Sequence, residues 1–159
     1  MIAILFVCTA NICRSPMAEG LLKKIISARA DADVWHIESA GAWAYEGNPA
    51  AVLSNVVMEK KGIDISAHRS KPTSLGLLSN FDLVLTMEDE HKKFLTYKYG
   101  ECADRIYRIS EMVGDVFDIP DPIGGGLADY EQTAYLLENI LTAGVDKIYE
   151  LALIHQQEL

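Results

Sequence analysis

Residues 2–7 read IAILFV, an uninterrupted apolar run, and residues 8–16 continue directly with CTANICRSP. A short continuous apolar run is typical of a strand that is buried on both faces, as in a parallel sheet. After it we expect a loop and then a helix that has Ser15 as its N-cap and Pro16 at its first helical position. The opening residues therefore predict a strand, a loop and a helix in that order.

Strand patterns and helix patterns alternate along the rest of the chain. The further predicted strands cover residues 34–40, 81–86 and 105–109. The further predicted helices run from Pro49 to a stop at Gly62, over residues 89–99, and from Asp129 onward with a weak interruption at Gly144. Such alternation favours right-handed crossovers and a parallel sheet. We therefore predict a single α/β domain over residues 1–159, with three α/β/α layers around a central, mostly four-stranded parallel sheet.

Composition and charge exclude several classes of protein. The chain is 50% hydrophobic and 23% charged, which is typical of a globular protein and not of a disordered one. Its net charge of -9 disfavours binding to nucleic acid, because phosphate backbones attract clustered Lys and Arg. No apolar run is long enough to span a bilayer, and no basic segment precedes the first run as in a secretory signal. We therefore expect a cytoplasmic protein that binds neither nucleic acid nor a membrane.

The loop over residues 8–14 has the features of an anion site. In a loop that leads from a strand into a helix, backbone N–H groups point toward one place and the helix dipole adds positive charge there. The spacing lets Cys8 lie beneath a tetrahedral oxyanion while the Arg14 guanidinium grips two of its oxygens. The same field favours the thiolate of Cys8, the nucleophilic form. The pattern predicts phosphoryl transfer to sulfur, whereas the alternative, a buried structural cysteine, leaves Arg14 unexplained.

A second loop supplies candidate proton donors. Asp115, Asp118 and Asp121 follow the fourth predicted strand, with no basic residue among them. Because ligands of parallel sheets bind beyond the carboxyl ends of the strands, we expect this loop, residues 110–128, to face the loop over residues 8–14. Burial or nearby like charge raises the pKa of a carboxyl group and suits it to protonate a leaving oxygen. The residues alone do not choose between Asp118 and Asp121.

Residues 6–16, FVCTANICRSP, closely resemble the phosphate loop of the low-molecular-weight protein tyrosine phosphatases. The likeness continues, in the family's order and spacing, at Ser39-Ala40-Gly41, Ala67-His68-Arg69-Ser70 and Asp121-Pro122, and so covers nearly the whole chain. The resemblance implies the phosphotyrosine protein phosphatase I-like fold, a phosphorylated protein as substrate, and neither a metal nor another cofactor.

The resemblance also implies roles for individual residues. Cys8 is the expected nucleophile and Arg14 the phosphate clamp, and Asp121 is the acid that protonates the leaving group and then activates water against the phosphocysteine. The phosphate-binding loop is completed by Thr9, Ala10, Asn11, Ile12, Cys13 and Ser15. A supporting hydrogen-bond network is implied for Asn11, Ser15, Ser39 and His68, with the Ser15 hydroxyl beside the thiolate.

Two positions that bear on specificity point in different directions. Ile12 is typical of tyrosine phosphatases, where arginine phosphatases carry Thr. In contrast, Ile123 and Gly124 replace the aromatic residues common in tyrosine phosphatases, and the segment resembles the Asp-Pro-aromatic-Gly-Gly run of bacterial protein arginine phosphatases. We give Ile12 more weight because it offers an apolar wall to an aromatic ring. The expected substrate is phosphotyrosine in proteins, the alternative is phosphoarginine, and Trp43, Tyr45 and Ile123 are the expected pocket wall.

Two loop positions leave structural alternatives open. Ala10 replaces the glycine usual in the family, so either the loop tolerates strain at Ala10 or Asn11 alone takes the left-handed conformation. Cys13 is either a small buried hydrophobic residue or a thiol that bonds to oxidised Cys8, and the resemblance favours the disulfide.

Other functions remain as alternatives. Thiol-dependent arsenate reductases use a similar loop, but that chemistry needs two further cysteines and this chain offers only Cys102 beyond the loop. A phosphoprotein-binding module without turnover is a further alternative, although Cys8, Arg14 and Asp121 are all present. The histidines show no ligand spacing, so we expect no metal site.

Overall fold

The computed structural model describes residues 1–157 and contains a four-stranded sheet. The strands are β1 (Ile2–Cys8), β2 (Trp35–Gly41), β3 (Leu83–Thr86) and β4 (Ile106–Arg108). Their spatial order is β2-β1-β3-β4, and every neighbouring pair is parallel. The predicted α/β class and the predicted parallel sheet are confirmed, with strand ends that differ from the predicted ones by one or two residues.

Five α-helices connect and cover these strands. They are α1 (Arg14–Ser27), α2 (Val52–Lys60), α3 (Leu75–Leu78), α4 (Asp89–Lys98) and α5 (Leu127–Gln157). Short 3-10 turns occur at Ala32–Val34, Gly100–Arg105 and Ile109–Val113. The sequence patterns did not predict α3, a single turn that Ser74 caps by accepting a hydrogen bond from the Leu77 N–H. None of the helices in residues 1–157 combines the length and the apolar character needed to cross a bilayer.

Strand β1 is buried along its whole length, and alternate residues separate the two faces of the sheet. Ile4 and Phe6 belong to the core formed with α1 and α5. Leu5 and Val7 belong to a second core, to which α3 contributes Leu78 and α4 contributes Leu95. Because β1 needs apolar residues in both phases, its sequence is a continuous apolar run, and the three predicted layers are confirmed.

Three helix features differ from prediction, and each is explained by a contact with another part of the chain. Helix α1 begins at Arg14 with Cys13 as its N-cap, so the prediction that Ser15 is the N-cap is wrong. The Ser15 hydroxyl instead contacts the Cys8 sulfur at 3.0 Å. Helix α2 begins at Val52 and not at Pro49, because the Ala51 N–H donates to the Ile12 carbonyl at 2.8 Å and holds the preceding chain extended.

Helix α5 continues through Gly144, so the predicted weak interruption there is wrong. An added Cβ at Gly144 would lie 2.9 Å from Met112 Cβ. The glycine therefore serves close packing of α5 against the turn Ile109–Val113, from which the second predicted site loop leaves.

Candidate active site

The carboxyl ends of the strands carry a small pocket built from two loops. It is lined by Cys8, Thr9, Ala10, Ile12, Cys13, Arg14, Asp121 and Ile123. Residues 8–14 form its base, and residues 121 and 123 come from the loop between β4 and α5. The two loops therefore meet as the sequence predicted, because parallel strands present their carboxyl ends at one edge.

The Cys8 sulfur lies at the buried base of this pocket. Its Sγ is 3.0 Å from Ser15 Oγ, and the Asn11 Nδ2 donates to the same Ser15 oxygen at 2.8 Å. Since that oxygen accepts from Asn11, the Ser15 hydroxyl hydrogen is left for two acceptors, the Cys8 sulfur at 3.0 Å and the more distant Ala40 carbonyl at 3.4 Å. A donor aimed at sulfur stabilises the thiolate over the thiol.

Asn11 is the structural centre of the loop. Its side chain is fully buried, and its φ of 57° is the only left-handed one at a non-glycine position in residues 1–157. Asn11, and not Ala10, therefore takes the left-handed conformation. The Asn11 Nδ2 donates to Ser39 Oγ at 3.0 Å, its Oδ1 accepts from the Lys71 N–H at 3.0 Å, and its carbonyl accepts from His68 Nε2 at 2.7 Å. The structure thus brings Ser15, Ser39 and His68 together around Asn11.

Arg14 is 1% exposed, and most of its N–H donors have partners. Its Nη1 donates to Glu88 Oε2 and to the Ile119 carbonyl, each at 2.8 Å. Its Nη2 lies 3.3 Å from Thr9 Oγ1 and 3.4 Å from Asp121 Oδ2. Its Nε is buried and has no partner among residues 1–157. An oxyanion held in the loop would accept from this remaining donor.

Sequence reasoning missed Glu88 and His91, which support Arg14 and Thr9. Glu88 follows β3 at the same sheet edge as the pocket, so the rule used for the other loops could have identified it. The fully buried His91 accepts from the Glu88 N–H through Nδ1 at 3.1 Å, and its Nε2 lies 2.9 Å from Thr9 Oγ1. Burial, and then the charge of Arg14, lowers the pKa of His91 to about 4.

The structure distinguishes among the acids of the second loop. Asp118 pairs with Arg108 from β4 at 3.2 Å, and it accepts from the Asp89 N–H at 2.8 Å. The loop itself contains no basic residue, as the sequence shows, but Arg108 from β4 supplies a base to Asp118. Asp115 is exposed and does not line the pocket. Of the three acids only Asp121 lines it, and its Oδ1 accepts from the Ile123 N–H at 3.1 Å.

Cys13 is a buried thiol at the other side of the pocket. Its Sγ lies 3.4 Å from the hydroxyl of Tyr130 on α5. Burial raises the pKa of Cys13 above the usual thiol value, and the Tyr130 contact partly opposes this rise. Both Cys8 and Cys13 are free thiols that line the same pocket. The disulfide between them stays a prediction.

Of the three residues predicted to form the pocket wall, only one lines the pocket in the structure. Ile123 lines the pocket and is 57% exposed. Trp43 is half-exposed and packs on Phe94 and His91, with ring centroids 4.9 and 5.8 Å apart. Tyr45 is 83% exposed, and neither it nor Trp43 is among the residues that line the pocket. Their role as substrate contacts stays a prediction.

The residues that line the site include hydrogen-bond donors suited to an oxyanion. Within residues 1–157, no group of three or more His, Cys, Asp or Glu side chains is placed to hold a metal ion. The polar residues that line the pocket are Cys8, Thr9, Cys13, Arg14 and Asp121, and the Arg14 Nε has no partner among residues 1–157.

Comparison with known proteins decides the family. The family model described as low molecular weight phosphotyrosine protein phosphatase matches residues 3–151. The chain belongs to this family. Members of the family are cysteine-dependent phosphatases, which agrees with the placement of Cys8 at the base of the pocket.

The names of related proteins in the family describe two different activities. A protein-arginine-phosphatase of Bacillus subtilis is 37% identical over 87% of this chain and 91% of its own length. The low molecular weight protein-tyrosine-phosphatase PtpB of Staphylococcus haemolyticus is 40% identical over 82% of this chain and 88% of its own.

The solved structures similar to this chain also include both tyrosine phosphatases and arginine phosphatases. A low molecular weight protein tyrosine phosphatase from T. tengcongensis has a TM-score of 0.87 and 42% identity, and covers 92% of this chain and 99% of its own. The YwlE arginine phosphatase from Geobacillus stearothermophilus has a TM-score of 0.86 and 33% identity, with coverage of 98% and 97%. The fold is therefore that of the family, and the name of the family alone does not choose the substrate.

The central place of Asn11 gives a prediction for stability. We expect Asn11→Ala to lower the free energy of unfolding by about 2 kcal/mol or more, because it leaves buried polar partners unsatisfied and keeps a left-handed residue without its side-chain bonds. Urea unfolding followed by circular dichroism measures the change. Asn80→Ala is the matched control, since Asn80 is exposed, and it should change stability by less than about 0.5 kcal/mol. Equal effects of the two substitutions would contradict the role given to Asn11.

Proposed function

We propose that this protein hydrolyses phosphotyrosine in proteins through a phosphocysteine intermediate. The observation that carries the proposal is the convergence of three groups in one pocket: the Cys8 sulfur, the buried Arg14 with its unpartnered Nε, and the Asp121 carboxyl group. A cytoplasmic location and a single domain over residues 1–159 belong to the same proposal.

The first step is binding of the phosphoryl group above Cys8. The Arg14 Nε and Nη2 then donate to two phosphoryl oxygens, with the phosphoryl oxygen replacing Asp121 Oδ2 as a partner of Nη2, while Nη1 stays on Glu88 and the Ile119 carbonyl. These fixed partners hold the guanidinium in place before the substrate arrives. Donors that are positioned in advance stabilise the charge of the transition state without the cost of reorganisation.

The chemistry then proceeds in two displacements. The Cys8 thiolate attacks phosphorus, the bond to the tyrosine oxygen breaks, and protonated Asp121 gives its proton to that oxygen. The Asp121 carboxylate next takes a proton from a water molecule, which attacks phosphorus and breaks the S–P bond. Inorganic phosphate leaves and the Cys8 thiolate is regenerated, with the Ser15 hydroxyl donating to the sulfur as it departs.

Ile12 supports phosphotyrosine as the substrate. It lines the pocket together with Ile123, so two apolar side chains are available to an aromatic ring. The tyrosine phosphatase relative, at 40% identity, is in line with this choice.

Phosphoarginine is the second candidate substrate. It is favoured by the relative named protein-arginine-phosphatase, at 37% identity, and by the Gly-Gly sequence that follows Ile123.

The arsenate reductase alternative lacks support in the structure. Cys102 is buried in the core between the sheet and helices α3 and α4, where its sulfur lies 4.0 Å from Ser79 Oγ. It is not among the residues that line the pocket, so a disulfide relay from Cys8 and Cys13 has no third thiol there.

Removal of the nucleophile tests the reaction itself. We expect Cys8→Ser to abolish turnover of 4-nitrophenyl phosphate, because an alcohol is a far weaker nucleophile than a thiolate. Release of 4-nitrophenol gives the rate. Cys102→Ala is the matched control, since this cysteine lies outside the pocket, and it should retain activity. Full activity in the Cys8 variant would exclude the mechanism.

A comparison of two substrates separates the candidates. We expect kcat/KM for a phosphotyrosine peptide to exceed kcat/KM for the same peptide carrying phosphoarginine, because two isoleucines favour an aromatic leaving group. Phosphate release is measured for both peptides, with the Cys8→Ser protein correcting for spontaneous loss from the labile phosphoarginine. The reverse order of rates would assign the protein to the arginine phosphatases.

A further prediction tests the role of Asp121 as the general acid and base. We expect Asp121→Asn to lower kcat by about a hundred-fold or more while the inhibition constant of inorganic phosphate changes little, because the amide neither gives nor takes the required proton. Asp118→Asn should leave kcat nearly unchanged, since Asp118 faces Arg108. The assignment fails if the two variants lose activity equally.

A further inference from the structure

Thr9 and His91 form a buried hydrogen-bonded pair beside the clamp arginine, and the reaction described above uses neither side chain. Thr9 is partly buried and lines the pocket, whereas His91 is fully buried. The two side chains come from distant parts of the sequence, with Thr9 Oγ1 and His91 Nε2 2.9 Å apart.

The hydrogen bonds of His91 determine its tautomer. A backbone N–H can only donate, so the bond from Glu88 N at 3.1 Å requires an unprotonated Nδ1. The charged groups that influence the ring are Arg14, Glu88, Asp118 and Asp121, and burial and Arg14 keep the imidazole neutral by lowering its pKa to about 4. The single ring proton is therefore on Nε2. It is donated to Thr9 Oγ1, because Glu88 Oε2 lies farther from Nε2, at 3.4 Å.

The Thr9 hydroxyl can then act toward a ligand only as a hydrogen-bond donor. A hydroxyl oxygen has two acceptor positions and one hydrogen. His91 Nε2 fills one acceptor position at 2.9 Å and Arg14 Nη2 fills the other at 3.3 Å. These are the two contacts that Thr9 Oγ1 makes within residues 1–157, so its hydrogen lacks an acceptor there.

We propose that the Thr9 hydroxyl donates a hydrogen bond to a non-bridging phosphoryl oxygen of the bound substrate, and that His91 is the positioning residue that turns Thr9 into a donor. This rests on the proposed function, because it assumes a phosphoryl group in the pocket. Arg14 Nη2 contacts both Thr9 Oγ1 and Asp121 Oδ2, so the hydroxyl stands at the side of the guanidinium that would hold the phosphate.

Because the Thr9 hydroxyl can only donate, it binds substrate atoms that accept a hydrogen bond. Every phosphoryl group carries non-bridging oxygens that accept, whether the bridging atom is the oxygen of a phosphotyrosine or the N–H of a phosphoarginine. A hydroxyl without a spare acceptor position contributes to both substrates, and to inorganic phosphate, through these oxygens. The contact therefore strengthens phosphoryl binding without selecting the amino acid.

Substitutions at Thr9 test the hydroxyl through binding of inorganic phosphate, measured by isothermal titration calorimetry. We expect Thr9→Val, which keeps the shape and removes the hydroxyl, to weaken binding on the order of ten-fold. Thr9→Ser restores the hydroxyl and should return the affinity to within about three-fold of the original. Unchanged affinity in Thr9→Val, or an equal loss in both variants, would overturn the proposal.

A double substitution tests whether His91 acts through Thr9. We expect His91→Phe, which removes the ring donor, to weaken phosphate binding, and Thr9→Val/His91→Phe to bind no more weakly than Thr9→Val alone. Additive losses would overturn the positioning role. Because a buried histidine is replaced, nitrogen NMR of the unaltered protein gives a second measurement: a protonated Nε2 with a bare Nδ1 supports the proposal, and a protonated Nδ1 overturns it.

A crystal structure with vanadate separates a direct contact from an effect on Arg14. We expect Thr9 Oγ1 to lie within about 3.0 Å of a terminal vanadate oxygen, which stands in for a non-bridging phosphoryl oxygen. A vanadate seated above Cys8 but out of reach of Thr9 would overturn this inference and leave the proposed function standing. Phosphate binding by a protein that turns over no phosphoester would contradict the proposed function, while the Thr9 comparison would still decide the contact.

Discussion

A buried guanidinium holds the parts of this site together. Arg14 is almost inaccessible to water, and a charge removed from water must be compensated by partners nearby. Its partners come from separate elements: Glu88 follows β3, whereas Ile119 and Asp121 belong to the loop between β4 and α5. The two loops and the end of β3 therefore share one positive charge. Loss of any partner would leave that charge less compensated and move the clamp relative to Cys8.

A second constraint is the left-handed residue beneath the loop. Asn11 bonds to Ser15 in α1 and Ser39 in β2, and its carbonyl accepts from His68. The Ser39 hydroxyl donates in turn to Glu19 Oε2 at 2.6 Å, which ties the network back to α1. These bonds have consistent directions, since each hydroxyl accepts from Asn11 and keeps its own hydrogen for another partner. These bonds within the protein fix the shape of the loop, which lowers the cost of binding an anion.

The site also influences the elements around it. Ser15 contacts the Cys8 sulfur and does not cap α1, and the bond from Ala51 to the Ile12 carbonyl delays the start of α2. In both places a tertiary contact of the phosphate loop replaces the local hydrogen bond that the sequence pattern suggests. These two departures from local rules therefore lie next to the site.

The strand, loop and helix at the start of the chain could be read from sequence, because a buried strand and a short connection leave their signals in consecutive residues. For the same reason Cys8 and Arg14 were identified by their spacing within one loop. The residues alone left Asp118 and Asp121 open and only the family resemblance named Asp121, whereas the tertiary structure placed Asp121 in the pocket and Asp118 against Arg108, and showed that Glu88 and His91 support the site. Asp121, Glu88 and His91 are far in the sequence from Arg14 and Thr9, and they become neighbours only when parallel strands bring their carboxyl ends to one edge of the sheet.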